Sequence, residues 1–307
     1  MIRPGPSSLQ GFPMVEQIWQ VIISGLAQGS VYALIAQGFF LTWVTTKSLN
    51  FGQGEFLMMG AMFGLSFFGF LGVAGLNPFL AGLLSVAGTV FLGLILERVA
   101  VRPVIHLASF SWVLSTVAVS IMLKNVAVLA WGPAEMRFPA YVSEKMIHIS
   151  GAGIAPQELF CLVVSVATML ALFFFLKRAR LGKAMMAVAN NTAAASVVGI
   201  NPTYIMALAY ALSSGLAGLG GILIAPITFA FAEMGALITI KAFAAALVGG
   251  LDNPLGILLG GLIIGVIEQG ATMVNSDIRD LSIFAFVLLL LAIRPTGLMG
   301  VRGIEKV

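Results

Sequence analysis

Apolar runs of about 20 residues, separated by short polar connections, recur from Ile18 almost to the C-terminus of this chain. A water-soluble domain cannot bury so many runs against one core, and in hydrocarbon a helix satisfies its own backbone. The expected fold is an all-α polytopic membrane protein. Composition agrees, because charged residues make up 9% of the 307 positions, against about 25% in soluble domains. A net charge of +4 is too small, and its basic residues too confined to connections between runs, to suggest nucleic-acid binding.

Nine runs can be delimited: 18–46, 55–75, 78–98, 108–130, 159–176, 203–224, 238–250, 253–270 and 281–293. The count is nine within a range of eight to ten, because the seventh and ninth are short for a core about 30 Å thick. Flanking residues could extend either, and the seventh could instead be a re-entrant element lined by protein. If Lys47, Arg98, Arg102, the basic cluster 177–183 and the 294–306 tail are all cytoplasmic, nine crossings put the N-terminus outside and the C-terminus inside. Residues 1–15 read as a flexible tail and 16–307 as one membrane domain. "GLNPFLAGLLSVAGTVFLGLILER" at 75–98 and "GLDNPLGILLGGLIIGVIEQ" at 250–269 share a Gly-Leu and Asn-Pro opening and cross in opposite directions, which makes them a candidate inverted repeat.

Charges at membrane depth are costly and mark protein-facing or water-facing positions. Glu55, Lys124 and Lys241 qualify. Glu55 follows "NFGQG" and belongs in the first turn of its helix, where unpaired N–H groups stabilise an anion. It either caps that helix or stands beside a solute path, with Gly52 and Gly54 allowing close backbone approach. Lys241 either snorkels to an interface or pairs with another span; Lys124 reads as a snorkelling residue. Gly249 and Gly250 are further candidates for close approach along a path.

Other chemistry finds no support. Glu97 and Glu268 close their runs without forming a metal cluster with His106 or His148, and no cofactor motif occurs. "GKAMM" lacks the spacing and hydroxyl of a phosphate-binding loop, so any ATP is bound by another chain. Cys161 lies in an apolar stretch and reads as a small hydrophobe. An intramembrane enzyme would need catalytic groups at one depth, and no convincing pair is present.

The connection 177–202, "KRARLGKAMMAVANNTAAASVVGINP", is rich in helix formers, with Met185, Val188, Ala189 and Thr192 able to share one side and Gly199 and Asn201-Pro202 ending the helix. It is either a surface amphipathic helix or a coupling helix that docks in a soluble motor.

The motifs "GLAQGSVYALIAQG" at 25–38, "LNFGQGEFLMMGA" at 49–61, "AVANNTAAASVVGIN" at 187–201, "KAFAAALVGGLDNPLGILLGG" at 241–261 and "RPTGLMG" at 294–300 together resemble the LivH-type permease subunits of bacterial ABC importers for branched-chain amino acids. The resemblance implies a multi-pass permease of the cell inner membrane. Its implied partners are ABC ATPase subunits, a second related permease and a periplasmic solute-binding protein, with a small polar solute carried through the permease and membrane lipid around it. It maps the ATPase-coupling motif onto Ala193, Ala194, Ala195 and Gly199, with Met185 and Val188 on the same segment. Ala193 departs from the Glu of the general coupling motif, and Gln53 stands where the family commonly has His, which argues against a role needing an imidazole. A related permease for urea or short amides is the alternative reading.

Overall fold

A computed structural model describes residues 14–73, 78–105, 111–142, 145–149 and 152–300. Most of the 1–15 tail, the opening of the 75–98 repeat, His106 and the end of the 294–306 tail lie outside these residues. The long helices are α1 (Met14–Thr46), α2 (Gln53–Val73), α3 (Pro78–Leu96), α4 (Ser111–Trp131), α5 (Pro156–Arg178), α8 (Pro202–Thr228), α9 (Met234–Gly249), α10 (Pro254–Val274) and α11 (Arg279–Ile293), while α6 (Arg180–Asn190) and α7 (Thr192–Val197) fill the connection. A small hairpin, β1 (Ile147–Ile149) paired with β2 (Ala152–Ile154), precedes α5.

Among the described residues six helices are long and apolar enough to cross a membrane: Ile18–Thr46, Phe79–Val101, Ser111–Trp131, Pro156–Arg178, Pro202–Thr228 and Pro254–Val274. This is fewer than the nine runs counted from sequence. The first turns of α2 lie inside the protein rather than against lipid. Helices α9 and α11, with 16 and 15 residues, reach about 24 and 22 Å at 1.5 Å per residue.

Glycine sets the packing. A methyl built on Gly29 of α1 would stand 2.5 Å from the Gly261 carbonyl oxygen of α10, and one on Gly60 of α2 would stand 2.5 Å from the Gly218 Cα of α8. Such backbone-to-backbone approach is how helices associate where lipid removes the hydrophobic drive between them. The same contacts fix direction. Gly25 faces Gly265 while Gln37 reaches the Pro254 carbonyl, so α1 and α10 are antiparallel. Thr89 faces Gly218 while Gly93 faces Ser214, so α3 and α8 are antiparallel; α2 runs parallel to α8. Among the described residues the nine long helices alternate in direction, with α6 and α7 at one end and the hairpin at the other. Helices α3 and α10 run oppositely, as a repeat would need; α3 packs on α2 and α8, and α10 packs on α9 and α1.

Irregular points are met by side chains. α3 ends in a π-helical turn, Glu97–Val101, where the Arg102 guanidinium forks onto the buried Glu97 carboxylate at 3.0 and 3.0 Å. Pro226 interrupts α8, and the Leu223 carbonyl one turn earlier accepts from Gln157 at 3.2 Å and from the Cys161 thiol at 2.8 Å. Cys161 is thus a tether between α5 and α8 as well as a small core residue.

Replacing Gly29 with Val should overpack the α1–α10 contact at a cost of about 1–3 kcal/mol, read as a lower Tm of the purified protein in detergent. Gly270→Ala, where a methyl meets nothing within 4 Å, should hold or slightly raise Tm, because alanine favours the helix interior over glycine.

Candidate functional site

Between α1 and α2 the chain leaves helix. Lys47 takes a positive φ of 55°, Asn50 folds its side chain onto the Gly52 N–H at 3.0 Å, and α2 then starts deep in the protein. Its first residue, Gln53, is fully buried. The Gln53 amide donates to the Ser213 carbonyl at 3.0 Å and accepts from the Ser213 hydroxyl at 2.8 Å. Gln53 is therefore a structural tie to the middle of α8.

Glu55 sits one turn into α2, 4% exposed. One carboxylate oxygen accepts from Ser120 of α4 at 3.0 Å; the other, Oε2, is buried without a hydrogen-bond partner. Over it lies the first turn of α9. A Cβ on Gly235 would stand 3.2 Å from Oε2 and 2.5 Å from the Gly54 carbonyl oxygen, so Gly54 and Gly235 let the starts of α2 and α9 touch. Beside this junction, Lys124 of α4 donates to Glu233 at 2.7 Å. That bond and the ammonium charge hold the Glu233 carboxyl below its usual range. Thr116, Ser120 and Lys124 recur every four residues and form one polar stripe on α4, whose other polar residues are Ser111, Ser115 and Asn125. Near Gly52, Phe51 stacks on Trp112 of α4 with ring centroids 6.5 Å apart and meets Phe243 of α9 at 6.3 Å.

Lys241 belongs to a different cluster. Its ammonium lies 2.7 Å from the fully buried Glu268 of α10 and 2.8 Å from Asp280 of α11, and the Arg279 Nε donates to the same Glu268 oxygen at 2.5 Å. Two cations and two carboxylates thus join α9, α10 and α11, and Lys241 pairs across helices instead of snorkelling.

Gly249 and Gly250 stand apart from both clusters. Gly249 presses on Gly256, and Gly250, at φ 98°, lies against Gly300 and Thr296, where the Leu298 and Met299 N–H groups bond the Val248 and Gly249 carbonyls at 2.8 and 3.1 Å. These two glycines pack the C-terminal segment onto the end of α9.

In the connection, Met185 and Val188 face inward and are buried, and Gly182 abuts the Phe175–Leu176 backbone, so α6 rests on the ends of α1, α5 and α8. Ala195 is also buried. The outward surface is Ala193, Ala194 and Gly199, joined by Val197 at 86% and Val198 at 75% exposure. Asn191 caps α7 through the Ala194 N–H at 3.0 Å, and Gly199, at φ 87°, closes it as the Ile200 N–H bonds the Ala195 carbonyl at 3.0 Å.

The sequence singled out Glu55 and Lys241 as buried charges but not the side chains that the structure places against them. The spacing of Thr116, Ser120 and Lys124 was a readable signal for the first. Nothing in sequence linked Lys241 to Arg279.

The family model described as the permease component of the branched-chain amino acid transport system matches residues 21–293. The chain is 31% identical to the high-affinity branched-chain amino acid transport system permease protein BraD of Pseudomonas aeruginosa, over 96% of this chain and 100% of that protein. It is equally 31% identical to the permease LivH of Salmonella typhimurium, over 94% and 97%. It is 28% identical to a probable LivH permease of Methanocaldococcus jannaschii, over 92% and 93%.

Breaking the α9–α10–α11 cluster on one side strands charge inside the protein. Lys241→Met should destabilise by about 1–3 kcal/mol, Arg279 retaining part of the neutralisation of Glu268. Adding Glu268→Gln to it should cost less than the sum of the single changes, a coupling that a double-mutant cycle of Tm in detergent measures.

Proposed function

The chain belongs to the permease family of the branched-chain amino acid transport system, and from that premise we propose a route by which motor and solute act on this fold. It is a transmembrane permease subunit of an ABC importer for branched-chain amino acids, a multi-pass inner-membrane protein with no catalytic chemistry of its own. The observation that carries this reading is similarity along nearly the whole chain to relatives with that function. ATP-driven states of partner ATPases would bias inward-facing and outward-facing arrangements of the permease. A second related permease and a periplasmic solute-binding protein complete the proposed assembly.

The exposed tip Ala193, Ala194, Val197 and Val198 suits a groove on an ATPase subunit, because an apolar surface held by an N-cap and a glycine turn presents itself at little entropic cost. Met185 and Val188 would serve as anchors beneath that tip rather than as contacts. α6 rests on α1, α5 and α8, so displacement of the tip would tilt those helices together. Nine crossings, N-terminus outside, follow if the alternating α2, α9 and α11 count as crossings although they are short or partly enclosed. On this topology the solute path passes the junction of α2, α4 and α9, with Gly52, Gly54 and Glu55 along it; Lys241 steadies α9 from behind, and Gly249 and Gly250 anchor its inner end.

Reconstitution of the complete complex with its binding protein tests the reading against a panel of branched-chain amino acids, urea and short amides. ATP-dependent uptake of leucine, isoleucine or valine is expected, and uptake of amides alone would shift the assignment to the alternative solute class. Gly199→Val should lower the ratio of solute imported to ATP hydrolysed by about tenfold, because a β-branched residue resists positive φ even where space is open. An unchanged ratio would remove Gly199 from the coupling path.

A further inference from the structure

A buried carboxylate oxygen with no hydrogen-bond partner demands an explanation; Glu268 Oε2 is another, but its carboxylate is paired with Lys241 and Arg279, whereas the Glu55 carboxylate accepts a hydrogen bond from Ser120 and is held by no cation among the described residues. Resting on the permease reading above, we infer that Glu55 receives the ammonium group of the amino acid in transit, and that the first turn of α9 covers this subsite and receives the carboxylate once it lifts.

Three observations converge on the pairing. First, the turn over Glu55 has an unfilled helix start: the Met234 N–H folds back to the Phe231 carbonyl at 3.2 Å, and no side chain caps α9. The first-turn N–H groups of a helix bind anions. An α-amino acid carries its ammonium and carboxylate on one carbon, so a carboxylate facing a helix start complements both poles of the zwitterion. Second, the cover sits on a strained hinge. Pro226 interrupts α8 near its end, and the next connection begins with Phe229 at φ 67° and ψ 161°, a region that L side chains avoid. The connection is tied across the chain by the Ala230–Met136 backbone pair and the half-exposed Lys124–Glu233 bond, with Ala230, Ala232 and Met234 buried beneath it. Third, the surroundings divide by polarity as the solute does. The polar stripe of α4 flanks Glu55, while Phe51, Trp112 and Phe243 offer an apolar surface one turn away toward the coupling end, suited to a branched aliphatic side chain.

The Ser120 bond orients Glu55 and leaves Oε2 directed at the cover. Charge and shape are separable here. Glu55→Gln keeps the volume and an acceptor for Ser120 but loses the charge; Glu55→Asp keeps the charge and shortens the reach; Ser120→Ala keeps the charge and removes the orienting bond.

The experiment measures leucine imported per ATP hydrolysed in proteoliposomes holding the full importer and its binding protein, for wild type and the three variants, after each complex is checked for intact assembly by size exclusion. For loss of a charged hydrogen bond made in transit, the ratio should fall about tenfold or more in Glu55→Gln, and less in Glu55→Asp and Ser120→Ala. Equal losses in Gln and Asp variants, a Gln variant that transports like wild type, or Ser120→Ala as damaged as Glu55→Gln would each overturn the inference by assigning Glu55 to packing. If Glu55→Gln fails to assemble, the order of Glu55→Asp and Ser120→Ala against wild type decides: a charge role requires both to retain transport above background. A wild-type importer that takes up no branched-chain amino acid would instead overturn the functional reading. The same variants would then be measured on the solute it does carry, and a Gln deficit on a solute lacking a cationic group would refute ammonium recognition.

Discussion

Inside hydrocarbon a backbone N–H or carbonyl has no water to turn to, and every departure from regular helix in this chain is shaped by that constraint. The break between α1 and α2 is possible because Asn50 supplies an acceptor to Gly52 and Gln53 trades two hydrogen bonds with Ser213. Near Pro226 inside α8, Gln157 and Cys161 both donate to the Leu223 carbonyl and tie α5 to that stretch of α8. Glycine contacts bring the helices close enough for these side chains to reach. An irregular start for α2 is therefore a consequence of tight α1–α8–α2 packing, and it is what puts Glu55 away from both helix-end interfaces.

Charge obeys the same logic with higher stakes. Glu97 is answered by Arg102 within its own turn, and Glu268 by Lys241 and Arg279 from two other helices. Both carboxylates are neutralised locally and hold structure. Glu55 breaks the pattern, since its nearest cation, Lys124, is engaged with Glu233. A residue that could have been replaced by an apolar one at lower cost, and that lacks the ion pair its buried counterparts possess, stands out as one whose value is realised in another state of the protein.

The runs of apolar sequence revealed the helices, because length and hydropathy are local quantities. Their boundaries held to within a few residues for α1, α4 and α10. The number of spans was less legible: whether a run such as 238–250 meets lipid or protein depends on what surrounds it, and a one-dimensional pattern carries no neighbours. The same gap explains the site. Glu55 was visible as a charge at a helix start, but Ser120 lies 65 residues away on α4 and Arg279 lies 11 residues past Glu268, beyond any spacing rule within one helix. Met185 and Val188 were read as sharing one side of the connection, which either rests at the surface or docks in a motor; that side is buried on the bundle, and periodicity separates two faces of α6 without saying which one the bundle takes.

The shortness of α9 follows from these parts together. Its outer end must start below the level reached by α8 for Gly235 to meet Gly54, and its inner end is pinned by Gly249 on Gly256 and by the 296–300 segment. With 16 residues between those limits, little freedom remains for sliding, but tilting about the pinned inner end stays available. The Lys241 cluster lies about halfway along and ties the helix to α10 and α11, whereas its first turn is held by the Gly235–Gly54 contact and the exposed Lys124–Glu233 pair. Ion pairs that share water with their partners contribute little, and buried ones resist separation. Along α9 the inner half is thus held by buried ion pairs and the 296–300 segment, whereas the outer turn that covers Glu55 is held by backbone contact with α2 and one water-exposed ion pair.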